Sequence, residues 1–264
     1  MTNLIALDEP VRGYGLRQAV RAEVTKLRSV RSTTWTLLAM VIGTLLVTVL
    51  ATRGVHRDGP GARYFDPTNQ SLTGLALGSL VIGVLGALSM TGEYGSGTIR
   101  ASLAATPRRP LLLGAKALVV GAVSLVVGEA LSFACFFIGR AILAGNAPVA
   151  SIGQPGVLRA LLLTGGYLAL LGVFGLGLGA IIRKSAGAIA AYAGVVFLLQ
   201  AVLQPLNGDG NPARFAPEAI LANSVAAVVP QSSQLSAPVG FLVMALYCAV
   251  VLGLGAVLLV RRDA

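Results

Sequence analysis

The chain has 264 residues, of which 55% are apolar and only 11% charged, and its formal net charge is +10. So few charges cannot clothe a water-exposed surface, for which about 25% is usual. Disorder requires low hydrophobicity and high charge, so soluble globular and disordered classes are both excluded, and a mean hydropathy of +0.81 marks an integral membrane protein.

In a soluble protein the basic excess would point to nucleic acid. Here no stretch interleaves a basic face with aromatic residues, and the arginines sit mostly at the ends of apolar runs, as they do in cytoplasmic loops. No nucleic-acid partner is expected. Cys135 and Cys248 fall inside apolar segments, where a thiol behaves as a small hydrophobe. Two cysteines and one histidine leave too few ligands for a typical zinc or iron–sulfur site. The first long apolar run begins only after residue 32, which does not fit a cleaved signal.

Residues 1–32 read as a cytoplasmic arm. Within it, Leu16, Ala19, Val20, Val24, Leu27 and Val30 line one face at helical spacing, and Arg17, Arg21 and Arg28 line another. Such a helix suits the headgroup layer, apolar side down, with arginines near anionic lipid. Glu23 interrupts the apolar face. It either pairs with Lys26 at i, i+3 or meets a partner protein.

Residues 33–264 read as a membrane body with six spans, at 33–51, 73–91, 117–143, 158–182, 186–204 and 239–260. Each is close to the roughly 20 apolar residues a bilayer core requires. With six spans both termini share a side. That side holds six Lys and Arg in the arm, four in the second loop (Arg100, Arg108, Arg109, Lys116), two in the fourth and two in the tail, against six on the other. The positive-inside rule therefore places both termini in the cytoplasm. Gly74 and Gly78, and Gly175 and Gly179, stand at G-x-x-x-G spacing and read as ordinary helix packing.

Two outward segments complete the pattern. Residues 52–72 form a polar loop tipped by Tyr64 and Phe65. Residues 205–238 hold a polar stretch and a short apolar helix from Glu218 to Val229, closed by Pro230. Twelve residues rise about 18 Å, too little to cross, so a re-entrant or interfacial segment is expected.

The chemistry-bearing stretch is the second cytoplasmic loop, residues 92–110. It reads Glu93-Tyr94-Gly95-Ser96-Gly97-Thr98-Ile99-Arg100, then Thr106-Pro107-Arg108-Arg109, with Lys116 opening the next span. It predicts a glycine-hinged exit from the second span and a short helix over 98–105, with Thr98 as N-cap and Pro107 as its stop. Such a helix lying along the membrane offers a surface for something cytoplasmic to grip. Glu129 is the sole acid placed inside a span. It is the candidate translocation-path residue, with Gln200 and Gln204 as conceivable hydrogen-bond partners.

The order E-Y-x-x-G-T-I-R, P-R-R and a lysine resembles the type-2 ABC transporter permeases, the integral-membrane subunits of small bacterial ABC exporters. The arm around Arg21–Ser29 is similar to that family's elbow helix. The resemblance implies that Glu93, Tyr94, Gly97, Thr98, Ile99, Arg100, Pro107, Arg108 and Arg109 form a coupling helix segment. That segment would dock on a separate ATPase subunit, present in two copies, with Ile99 buried in its cleft. The resemblance also implies a second permease subunit, either identical or related, and membrane lipid as partners. No cofactor is expected on this chain, because ATP and Mg would sit on the ATPase. No G-x-x-x-x-G-K-[ST], G-x-S-x-G or H-E-x-x-H occurs, so the chain is expected not to be an enzyme. Apolar spans with few internal charges fit a hydrophobic or amphipathic cargo such as a drug, peptide antibiotic or lipid-linked molecule. The alternative reading is an ion-gradient-driven transporter or channel using Glu129.

Overall fold

The computed structural model describes residues 15–29, 31–55, 65–106, 108–145, 147–205, 212–227 and 234–261. Among these, all regular structure is helical, and six helices are long and apolar enough to cross a membrane. The expected all-α fold of six spans is the one observed.

Helix α1 (Leu16–Ser29) precedes α2 (Arg31–Arg53), the first span. Helix α3 (Pro67–Leu72) is a single polar turn and more, capped by Asp66. The second span is α4 (Leu75–Ser96), and the short α5 (Ile99–Ala105) follows it. Then comes α6 (Arg109–Leu143), the longest helix at 35 residues, or about 52 Å. The expected third span started at 117, but the helix begins eight residues earlier. Pro110 fits its first turn, and Leu111, Leu112, Leu113 and Ala115 carry the apolar pattern back through the basic run. Lys116 therefore sits inside the helix, 3% exposed, and not in the loop to which the sequence assigned it.

Helix α7 (Val157–Ile182) forms the centre and packs against α4, α6 and α11. Its Tyr167, Leu168, Leu171 and Leu176 are fully buried. The α4–α7 seam is so close that a Cβ on Gly86 would lie 2.0 Å from the Gly172 carbonyl oxygen, and one on Gly175 would lie 2.1 Å from that of Gly83. Small residues do here what lipid-embedded packing demands, since apolar tails supply no hydrophobic drive between helices. Gly74 serves the same end against Thr44 and Thr48 of the first span.

The fifth span is not one regular helix. It runs as α8 (Ser185–Ala193), a π turn over Gly194–Leu198, and α9 (Leu199–Leu203). Tyr192, just before the π turn, donates its hydroxyl to Ser79 O at 2.6 Å and fills the space beside Gly83. A 3-10 turn (Pro212–Phe215) leads to α10 (Pro217–Val225), and α11 (Ala237–Arg261) is the last span. The nine-residue α10 is too short to cross, as expected, although it ends at Val225 where Ala226 turns extended. Pro230, the expected stop, lies outside the described residues, as do Tyr64 and residues 206–211. Asp66 anchors this end. Its Oδ1 accepts from the Thr68 and Asn69 amides, and its Oδ2 accepts from the Ala227 amide at 2.7 Å. The Tyr167 hydroxyl donates to Pro217 O from the central span.

Candidate functional site

Helices α1 and α5, the C-terminus of α4 and the start of α6 gather at one end of the bundle. Their junction is a cluster of four charges. Lys116 Nζ lies 2.7 Å from Glu23 Oε2 and 2.7 Å from Glu93 Oε1, and also donates to Ser89 O at 3.4 Å. Lys26 Nζ lies 2.8 Å from Glu23 Oε1 and 2.9 Å from Glu93 Oε1, and its third donor reaches Ser102 Oγ of α5 at 3.0 Å. The side chains of Glu23, Glu93 and Lys116 are 7%, 12% and 3% exposed, while that of Lys26 is 41% exposed. Two positive and two negative charges alternate, which is what makes their burial tolerable. Burial alone would lower the Lys26 pKa. The Glu23 and Glu93 hydrogen bonds and charges outweigh it, and the ammonium titrates above its ordinary 10.5.

Glu23 thus makes the expected i, i+3 pair, and its deeper partner is Lys116 of this same chain. The arm helix accordingly rests on the bundle through Ala19 and Glu23, while Leu16 and Val24 remain exposed. The apolar stripe predicted to face lipid as a whole is split. Ala19 is buried and Val20 and Leu27 are half-buried, while Val30 lies outside the described residues.

After the second span the chain turns at a glycine and enters the short helix α5. Gly97 ends α4 with φ +72, a left-handed conformation that glycine adopts without cost, and donates its amide to Tyr94 O at 3.3 Å. Thr98 holds the cap position of α5 but makes no capping bond. Its φ and ψ are already helical, and its Oγ1 pairs with Ser96 Oγ at 2.8 Å instead. Ile99 departs most from expectation. It is 3% exposed, packed in this chain's own cluster with Met90, Leu112, Leu113 and Leu259. An amphipathic seven-residue helix against a bundle turns its one large β-branched residue inward, so Ile99 anchors α5 to the bundle and is not free to fill a partner's cleft. Arg100 is exposed, as is Arg108. Pro107 lies outside the described residues.

Arg109 and Arg183 serve the last span. Arg109 Nη1 donates to Leu259 O at 2.8 Å, and Arg183 Nη2 donates to Leu258 O at 3.0 Å. Cations at a helix C-terminus complement its dipole. The Arg183 guanidinium also lies 5.0 Å from the centre of the Tyr94 ring, a cation–π contact. Tyr94 is thereby held between the second loop and the turn joining the fourth and fifth spans.

Beside the ion cluster lies a cavity of about 670 Å³. Leu27, Leu37, Ile82, Leu85, Val120 and Val123 form apolar walls, and Glu23, Lys26, Glu93 and Lys116 close the polar end. Glu129 stands apart from this region. Its carboxyl group occupies the space over Gly165 of α7, where a Cβ would meet Glu129 Cδ at 2.3 Å. It faces the neighbouring helix as an intramembrane acid should, with Oε2 buried and unpartnered. Gln200 and Gln204 line a different, amide-rich cavity with Asn69 and Asn223, so they are not its partners. A second acid, Glu218 on α10, also buries an unpartnered Oε2. Among the described residues no group of three or more His, Cys, Asp or Glu converges for a metal.

Sequence reasoning placed Glu93 and Lys116 in one loop and Glu23 in the arm without joining them. The signal was there, in two charges seated within apolar patterns, Glu23 on its face and Lys116 between Ala115 and Ala117.

Among the described residues, six helices long and apolar enough to cross a membrane, with a surface helix pair clipped to one end by buried ions, define a multi-pass membrane protein. The profile described as ABC-2 family transporter protein matches residues 62–264. The chain belongs to that family. Its membership implies association with an ABC ATPase subunit. No curated protein matches the chain.

Proposed function

We propose that the chain is the translocating subunit of an ATP-driven exporter, whose two ATPase subunits bind the end carrying α1 and α5, and that a second permease completes the path. Both termini lie in the cytoplasm in this reading, and ATP and Mg bind the partner alone. The family match carries it. The surface helix α5 supplies the docking element, with Arg100 and Arg108 exposed at its margins as cations for an acidic cleft. Because Ile99 is spent on the permease core, the partner meets the outer face formed by Arg100, Ala101, Ala104 and Ala105. The cavity behind the ion cluster, apolar-walled with a charged end, supports a hydrophobic or amphipathic cargo.

Co-expression with the candidate ATPase, followed by affinity purification through the permease, tests this reading. The permease should retain the ATPase, and Arg100→Ala should release it without altering the permease's own melting temperature. Absence of any retained ATPase with a properly inserted permease sinks the proposal.

A further inference from the structure

Helix α5 has two polar side chains besides its backbone, Arg100 and Ser102, in a run otherwise made of Ile, Leu and Ala. They diverge. Arg100 is exposed, while the Ser102 hydroxyl accepts from Lys26 of α1 at 3.0 Å. The two lysines of the cluster consequently have different duties. Lys116, 3% exposed, pairs with both carboxylates and ties them to the bundle, and its hydrogen bonds go to Glu23, Ser89 and Glu93 and not to α5. Lys26 uses its three donors on three elements, Glu23 of its own helix, Glu93 of α4 and Ser102 of α5. It is the more exposed lysine, placed where the helices meet. Elsewhere α5 is joined to the bundle through the left-handed Gly97, the Ile99 knob and the half-buried Leu103.

We propose that Lys26 is a positioning residue that makes α1 and α5 move as one body, so that displacement of α5 is delivered through α1 to the first span. This rests on the reading that α5 meets the ATPase. The bond to Ser102 is charge-assisted and partly desolvated, so it is strong enough to hold two short helices in one register. Its removal leaves the Lys116 pairs intact. Ser102→Ala separates transmission from folding, because it keeps all four charges, whereas Lys26→Met leaves two carboxylates on one cation and Lys116→Met strands them more deeply.

The test places spin labels at Thr25→Cys on α1 and Ala101→Cys on α5, both exposed positions. The native Cys135 and Cys248 are buried and stay in place. Distances are measured by pulsed electron resonance in lipid nanodiscs, first on the permease alone, then on the permease–ATPase complex with and without trapped nucleotide. In the parent chain one narrow distance is expected, unchanged by nucleotide. Lys26→Met should broaden the distribution roughly twofold in the permease alone, and nucleotide should then shift its mean. Lys26→Arg should restore the narrow distance. Ser102→Ala should reproduce the broadening while leaving the melting temperature within a degree or two of the parent. An unbroadened Lys26→Met distribution in the permease alone overturns the proposal, whether or not an ATPase binds. A parent distance that shifts with nucleotide overturns it as well. Failure of the ATPase to bind at all counts against the proposed function instead, and leaves the permease-alone result to decide the role of Lys26.

Discussion

At the scale of single residues, the structure separates groups that the sequence presented together. Ile99 and Arg100 are adjacent, yet one is 3% exposed in the permease core and the other faces outward. Ile99→Asp therefore buries an unpaired carboxylate. It should lower permease stability by several kcal/mol, about 2–5 by the cost of uncompensated polar burial. Arg100→Ala should weaken partner binding about tenfold or more, as truncating an interfacial charge does, with no loss of melting temperature. Thermal melts of the purified permease alongside ATPase titrations check both. Equal melting temperatures for the two variants contradict the assignment. Lys116→Met removes the buried cation between Glu23 and Glu93. A loss of about 3–5 kcal/mol is expected, and Glu23→Gln in the same chain should recover part of it. A melt in which the double variant is no better than Lys116→Met removes Lys116 from the cluster's electrostatics.

At the scale of elements, the closeness of α4 and α7 makes glycine obligatory at some positions and dispensable at others. Gly86→Ala drives a methyl into the Gly172 carbonyl, a backbone atom that cannot swing aside. It should cost at least the 1–3 kcal/mol typical of overpacking. Gly95→Ala, with nothing within 4 Å, should gain about 0.5–1 kcal/mol from helix propensity. Matching melts for the two contradict the seam. The docking of α1 has a pH signature as well. The Lys26 pKa is raised in the folded state, so its contribution is complete below the ordinary 10.5 and fades as pH rises through the higher folded value. Docking of α1, followed by the Thr25–Ala101 distance, should stay constant from neutral pH to about 10 and loosen only above that. Loosening between pH 7 and 9 contradicts the role of Lys26. The fifth span shows what periodicity cannot reveal. Residues 186–204 read as one apolar helix, but Tyr192 is pinned to Ser79 O, and the chain beyond it takes a π turn over Gly194–Leu198. That is a tertiary demand, with no local signature beyond the glycine.

At the scale of the whole molecule, much was legible. Apolar run length fixes six spans, because a bilayer tolerates no shorter crossing. The glycine-hinged exit at Gly97 and the short helix after it were readable from turn chemistry. The convergence of Glu23, Lys26, Glu93 and Lys116 was not, since their separations of up to 93 residues carry no periodic trace. Nor was the start of α6, where eight apolar-leaning residues looked like loop only because they carried Arg109 and Lys116. The profile match begins at residue 62, and the ion cluster binds the arm helix outside that stretch to the end of the bundle within it. One permease body results, and under the proposed function it presents α5 to a partner. The most direct test of that central claim is ATP hydrolysis measured on three purified preparations: the permease alone, the ATPase alone, and the two co-purified in nanodiscs. The account predicts no hydrolysis by the permease, and a stable complex whose hydrolysis rate differs from that of the free ATPase and returns to the free value with Arg100→Ala. Robust hydrolysis by the rigorously purified permease, or a partner whose activity is indifferent to it, contradicts the account.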